Sequence, residues 1–492
     1  VLRKKQLILI NLLVIGLFQA NISTAQNYSV TESKTILKDY LHKIFAMEEK
    51  YVDIIYASPH GLFSYDRDDR HAKLNVYDRS MNQLYEKEIT AMNGLKYEAG
   101  LVMNGRLYIF ATDKKQKLFG YELNTTNGSA KELPEDLFEL PSSYSNVLTS
   151  YSPDSAYCYI SFTNYEKKGF LRALVMDKNM KVVHRLQGDL SSKMYDISFT
   201  SLLLSNSGSA IGIAALNNRP GKKDNTRLKY SVLEFDKDGN MSVNLLEGLP
   251  TGYLSQFSWT AIKSGFSFTA FLATNDKDGY TSLVSGEYNV DQRKIENLSQ
   301  STFNMPVPTN TWFISSYILK DLSHYFLLEA RHVDYFYDRT TGRPRGGNYW
   351  AGNVYVVKTT PDNKAEWVRQ IQKSQLEAAD WIYTGTTSML DKSENLHVFF
   401  HDRPESNCLD PQANIDGIVL EGKKVNNTSL IAVKFNRDGS TIKKIIADNN
   451  GREFRFSPTR SYSVYKNEMI YSGIKWKVGG YSTLTLGTIS LN

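Results

Sequence analysis

Beyond residue 25 the apolar positions do not follow helical spacing. They fall in short runs of β-branched and aromatic residues, as in "YFLLEARH" (325–332) and "LHVFFHDR" (396–403), bounded by Gly, Asn, Asp and Pro. Runs of this length between such punctuation read as strands.

Two kinds of turn alternate between the runs. One joins two apolar strands: Ser58-Pro59-His60-Gly61, Asn104-Gly105, Ser152-Pro153-Asp154-Ser155, Ser207-Gly208, Ser264-Gly265, Lys320-Asp321, Asp391-Lys392-Ser393 and Lys466-Asn467. The other closes a more polar hairpin, near Asp78, Asn124, Asp177, Asp236, Asn289, Pro361 and Asn436. Eight turns of the first kind against seven of the second fit four-stranded units A-B-C-D whose last member stops after its third strand, at 481–491. The segment "SKTILKDYLHKIF" (33–45) is left over at the other end and could supply the missing strand. The pattern predicts an all-β chain folded as a single β-propeller of four-stranded blades. Eight blades are expected, seven being the alternative, with the ring closed by the N-terminal strand, an arrangement that leaves only short sheet edges.

The first 25 residues have a different pattern. Arg3, Lys4 and Lys5 precede an apolar run at 7–18, and Ser23-Thr24-Ala25 follows. That order is that of a secretory signal peptide cleaved after Ala25. The run is about 12 residues long, where a bilayer span needs about 20. The expected organisation is therefore a signal peptide at 1–25 and a propeller domain at 26–492. Long insertions are expected at 331–352 and 401–428, and no membrane span after cleavage. The full 492-residue chain carries a formal charge of +6. Three of those positive charges lie in the leader, so 26–492 is close to neutral and gives no basic stripe for nucleic acid. Two cysteines, Cys158 and Cys408, are too few for a disulfide framework or a structural zinc site and are read as free thiols.

The stretch "YSPDSAYCYISF" (151–162) resembles the Ser-Pro-Asp-Gly type of propeller repeat, with Ser155 in place of the glycine. "VYVVKTTPDNKAEWVRQI" (354–371) and "IAVKFNRDGSTIKKII" (431–446) are similar to hairpins of exported propeller proteins of Bacteroidota. That resemblance implies a fold and a compartment, the periplasm or cell surface of a Gram-negative bacterium, and no activity.

Candidate chemistry is sparse. Asp236-Lys-Asp238-Gly239, Asp276-Lys-Asp278-Gly279 and Asn436-Arg-Asp438-Gly439 look like fragments of calcium loops but lack the distal acid, and Asp-Gly is also what a tight turn needs. His397 and His401 are four apart on a strand, a span of about 13 Å, too far for one ion. No metal site and no cofactor is expected. Phosphate-loop, zinc-helix and nucleophile-elbow motifs are absent.

The constellation worth following lies where two neighbouring strands end, aligning Glu329 with His401 and Arg331 with Arg403, with His332 and Asp402 beside them. Such groups at a propeller mouth could bind an anion or transfer protons, but the reading as ion pairs between blades is preferred. The insertion at 331–352 adds Tyr335, Phe336, Tyr337, Tyr349 and Trp350 among four arginines, a composition shared by protein interfaces and sugar platforms. The expected function is an exported, non-catalytic scaffold that binds an envelope protein or a glycan through these residues. The alternative is a carbohydrate-active enzyme, a glycoside hydrolase or lyase, with acid–base groups drawn from Glu329, Asp334, His401 and Asp402. Paired carboxylates would favour the first, and two free ones across an open pocket the second. The sequence is silent on oligomeric state.

Overall fold

A computed structural model describes residues 28–492 except 38–39, 48–49, 58–71, 135–136, 142–143, 145–146, 165–169, 191–194, 219–228, 237, 263–264, 276, 338–343, 378–383, 414–416, 421–427, 449–455, 459–460, 466, 477–481 and 492. The signal segment and Ser58-Pro59-His60-Gly61 therefore lie outside the described residues. Among the described residues no helix is long and apolar enough to cross a membrane.

The chain is a single all-β propeller of four-stranded blades. Its strands form hydrogen-bonded sheets, seven of four strands and one of six, mostly from consecutive strands. The blade count is seven and not the expected eight. The six-stranded sheet exceeds four strands because Gln375–Glu377 pairs with the outer part of the long strand Pro344–Thr359, and Ile418–Val419 pairs in turn with Gln375–Glu377.

The turns that punctuate the sequence are fixed locally. Asp177 Oδ1 accepts the amides of Asn179 and Lys181, and Asp236 Oδ1 those of Asp238 and Asn240. The fourth residue of each turn takes a left-handed backbone: Met180 at φ 62° and Gly239 at φ 81°. Asp391, in a turn of the other kind, does the same with the amide of Asn395 and with Glu394 at φ 63°. An Asx side chain that mimics the backbone is the device common to both. The Ser-Pro-Asp turn follows suit, with Ser155 at φ 57° where the family repeat has glycine. At Gly239 a second constraint applies, because an added Cβ would lie 1.8 Å from the Arg185 carbonyl oxygen of the preceding sheet. Gly239 O also accepts the amide of Gln187, so this turn stitches two sheets together.

Strands predicted on either side of these turns pair as expected, for example Met103 with Arg106 across Asn104-Gly105 and Leu390 with Leu396 across Asp391. The first unit differs. Tyr40–Met47 pairs with Lys50–Ala57, which pairs in turn with Ala72–Asp78. The leftover segment 33–45 divides between two strands, Tyr28–Leu37 and Tyr40–Met47. The first of these pairs antiparallel with Ser482–Leu491 along its whole length, from Tyr28 opposite Leu491 to Leu37 opposite Ser482.

The core sits between sheets. One apolar cluster combines Phe110 and Leu118 of one sheet with Cys158, Ile160 and Phe162 of the next. Another joins Phe271 and Tyr280 to Phe326 and Tyr355. A third brings Ile44, Tyr51 and Tyr77 against Ile470 and Leu486, so sheets from the two ends of the chain are in contact. Arg79 reinforces that contact, bonding Glu468 at 2.9 Å and the hydroxyl of Tyr51 at 3.0 Å. Both sulfhydryls, Cys158 and Cys408, are free and buried.

Candidate functional site

Strand registers place Glu329 and His401 at equivalent positions. His324 opens its strand opposite Ile318, and Leu396 opens the next sheet's strand opposite Leu390. Glu329 and His401 each stand five residues further on, and both are buried. A rim position, as expected from sequence, does not describe them.

They belong instead to one interior polar network whose connecting residues the sequence reading missed. Lys373 Nζ pairs with Glu329 Oε1, and Arg331 Nε donates to Oε2 at 2.5 Å. Thr386 Oγ1 donates to Oε1 at 3.1 Å. Lys373 Nζ also donates to Gln375 Oε1 at 3.1 Å, and Gln375 Nε2 donates to the His401 carbonyl at 2.6 Å. Lys373 and Gln375 follow the apolar strand Ala365–Ile371 in "QKSQLE", and no motif sets them apart. Their alternate placement on an extended segment was the only available signal.

Burial pushes Glu329 up, but the adjacent Lys373 and Arg331 charges outweigh it and hold the carboxyl below its ordinary range. Burial moves Lys373 down, with Glu329 opposing. The His401 ring donates from Nε2 to the Phe456 carbonyl at 2.8 Å, which leaves Nδ1 to accept from Thr428 Oγ1 at 3.4 Å. Desolvation pushes this imidazole down to about 4, against the raising effect of the Phe456 carbonyl. His397 lies in a separate cluster, with Tyr28 Oη 2.8 Å from Nδ1 and Asp391 Oδ2 3.2 Å from Nε2. Asp402 is buried and its carboxyl is raised by that burial; Oδ1 accepts the Arg403 amide at 2.8 Å. The Arg403 side chain is exposed.

The remaining candidates lie on a protruding hairpin. The segment expected as a loop at 331–352 is carried by two long strands, His324–Tyr337 and Pro344–Thr359. Gly346, Gly347 and the arginines gave it the look of a loop. On one face His332 Nε2 lies 2.6 Å from Asp334 Oδ1, and Trp350 Nε1 donates to Asp334 Oδ2 at 3.2 Å. Strand alternation puts Tyr335 and Tyr337 on the other face, rings 6.4 Å apart, together with Tyr349, which is paired in register with Val333. Tyr335, Phe336, Tyr337 and Trp350 are 51%, 53%, 62% and 38% exposed. The described part of the second insertion has turns at 404–405, 408–409 and 411–412, with Cys408 buried and Lys443 Nζ donating to the Pro404 carbonyl at 3.0 Å.

Below the hairpin, between the inner strand Thr311–Ile318 and the neighbouring strand Thr387–Leu390, lies a cleft of about 480 Å³. Arg331 stands in its wall, and Ser315, Tyr317, Thr387, Ser388 and Ser461 line it. Among the described residues that line it there is no carboxylate. Among the described residues no three His, Cys, Asp or Glu side chains converge to hold a metal. Asp236, in one of the calcium-like fragments, spends its Oδ1 on backbone amides.

No protein-family model and no curated protein matches the chain. Several solved structures are similar in fold. A protein of unknown function from Bacteroides caccae covers 61% of this chain and 89% of its own, at 11% identity and a TM-score of 0.28. An ulvan lyase of a polysaccharide lyase family covers 68% and 78%, at 7% identity and 0.37. The periplasmic gluconolactonase of Pseudomonas aeruginosa covers 72% and 97%, at 11% identity and 0.28. Likenesses this distant carry no argument about activity.

Proposed function

We propose that the protein is an exported, non-catalytic propeller that binds a partner protein or glycan in a bacterial envelope, with the 324–359 hairpin as its contact surface. The observation that carries this reading is the contrast between the two groups of candidates. Glu329 is sequestered by Lys373 and Arg331 in the interior. Tyr335, Phe336, Tyr337 and Trp350 stand out in solvent on two long paired strands. Large, stiff aromatic side chains gain contact area at low entropic cost, which suits them to recognition. The carbohydrate-active alternative would need two carboxylates facing one open pocket. Glu329 and Asp402 are buried, and neither is among the described residues that line the cleft.

Export is supported by the basic, apolar and small-residue order of 1–25. We also infer that Tyr28–Leu37 closes the ring, supported by its ten-residue pairing with Ser482–Leu491.

The test is capture from envelope extract by residues 26–492 beside a variant carrying Tyr335→Ser, Phe336→Ser, Tyr337→Ser and Trp350→Ser. These side chains are exposed, so circular dichroism should show an unchanged fold. A stoichiometric partner lost in the variant supports the reading. A partner retained by the variant, or a glycan cleaved by the wild type, overturns it.

A further inference from the structure

The two edges of the long hairpin differ. Along one edge Tyr349, Trp350 and Ala351 pair with Gln375–Glu377, and Ile418 and Val419 pair in turn with Gln375 and Leu376. Two short strands from later in the chain are thus added to the hairpin on that side. Along the other edge the pairing stops. The inner strand Thr311–Ile318 reaches no further than Ala330, and the Arg331 amide donates to the Asn310 carbonyl at 3.3 Å. Past that bond, among the described residues, no strand lies beside 332–337 on this side.

The direction of the Arg331 amide fixes which main-chain groups are left over. In an antiparallel strand the N–H and C=O groups of alternate residues point to the same side. The Arg331 amide points to the inner strand, and the register runs without irregularity from Arg331 to Phe336, so Val333 and Tyr335 point to that side as well. Each presents one donor and one acceptor there. A row of such groups at strand spacing is the complement of another extended chain. The features that usually blunt an edge are missing, since 332–337 contains no lysine and no proline. Its one acid, Asp334, is engaged by His332 and Trp350. Tyr335, Phe336 and Tyr337 are exposed, so the edge is open to solvent. Val333, Tyr335 and Tyr337 share one face of it, where side chains of an added strand would meet theirs.

We propose that the 332–337 edge binds an extended polypeptide segment by strand addition, with the main-chain groups of Val333 and Tyr335 forming the ladder and alternate apolar side chains of the segment packing beside Val333, Tyr335 and Tyr337. This rests on the reading of the hairpin as the contact surface and names the chemistry of its partner. A polypeptide is favoured over a glycan because a glycan has no donors and acceptors repeating at strand spacing.

The experiment is fluorescence anisotropy of three labelled nonapeptides, in which threonine alternates with valine, isoleucine or tyrosine, titrated with residues 26–492. At least one should bind with a Kd below about 1 mM. The same peptide with every internal amide N-methylated keeps its side chains but loses its donors, and should bind at least tenfold more weakly. Val333→Pro removes a donor that the hairpin's own pairing does not use, and should also weaken binding at least tenfold. If circular dichroism shows that Val333→Pro disturbs the fold, the N-methylated peptide decides, because it leaves the protein untouched. Silence with all three peptides, equal binding of the N-methylated form, or indifference to a folded Val333→Pro overturns the proposal. A protein or glycan from the envelope extract that is lost by the four-serine variant yet kept by Val333→Pro overturns strand addition alone and leaves the hairpin as the contact surface.

Discussion

The buried imidazole of His401 makes stability depend on pH in a calculable way. In the unfolded chain the ring titrates near 6.5; in the fold, burial brings it to about 4. Above pH 6.5 the ring is neutral in both states and adds no slope. Between 6.5 and about 4 the unfolded chain takes up a proton that the folded protein refuses, so stability falls as pH falls. Below about 4 both states are protonated and the loss levels off. At about 1.4 kcal/mol per tenfold change in proton affinity, the full loss from this one residue is about 3 kcal/mol, of which about 2 kcal/mol has appeared by pH 5.

Two other histidines, half-buried His324 and buried His397, are also shifted down by desolvation, and Asp391 opposes the shift at His397. The useful quantity is therefore a difference between proteins. In His401→Gln the amide Nε2 can still donate to the Phe456 carbonyl, but it does not titrate. Urea unfolding of wild type and variant should be followed from pH 7.5 to 4. At pH 7.5 the two should lie within about 1 kcal/mol, the value of one imperfect hydrogen bond. At pH 5 the wild type should have lost about 2 kcal/mol more than the variant. Parallel pH profiles would refute the reasoning, because the ring would then be titrating alike in both states.

Glu329→Gln leaves Lys373 buried without its counter-charge and should cost about 3–5 kcal/mol, whereas the double variant Glu329→Gln/Lys373→Met should recover much of that loss in a urea-based double-mutant cycle. Additive effects would show that the pair does not act as a unit. Gly239→Ala must displace the Arg185 carbonyl as well as occupy a left-handed backbone, while Gly94→Ala meets only the backbone penalty of about 1–2 kcal/mol, since nothing lies near its added Cβ. Thermal melts should rank Gly239→Ala well below Gly94→Ala; equal melting points would contradict the close approach between the sheets.

What could be read from the sequence follows from range. The turns were legible because the groups that fix them lie within five residues: Asp177 with Lys181, Asp236 with Asn240, Asp391 with Asn395. The alignment of Glu329 with His401 was legible for the same reason, since each is counted from its own turn. Their environment was not, because Lys373, Gln375 and Thr386 reach them from other segments. The protruding hairpin was mistaken for a loop because its glycines, arginines and Pro344 mimic loop composition. Only pairing across 331–351 reveals the strands. The cleft was invisible for a similar reason: Ser315, Ser388 and Ser461 are unremarkable in sequence and converge only when three inner segments meet.

The pairing of Tyr28–Leu37 with Ser482–Leu491 has a consequence for the time course of synthesis. Ser482 follows Tyr28 by 454 residues. At about 5–20 residues per second, roughly 20–90 s separate the appearance of these two strands at the ribosome. During that interval the earlier strand has a bare row of amides and carbonyls and no native neighbour to meet them, the condition in which strand edges recruit other chains. The sheet that unites both ends is thus the last that can assemble, and for most of its birth the protein depends on being kept apart from its own copies.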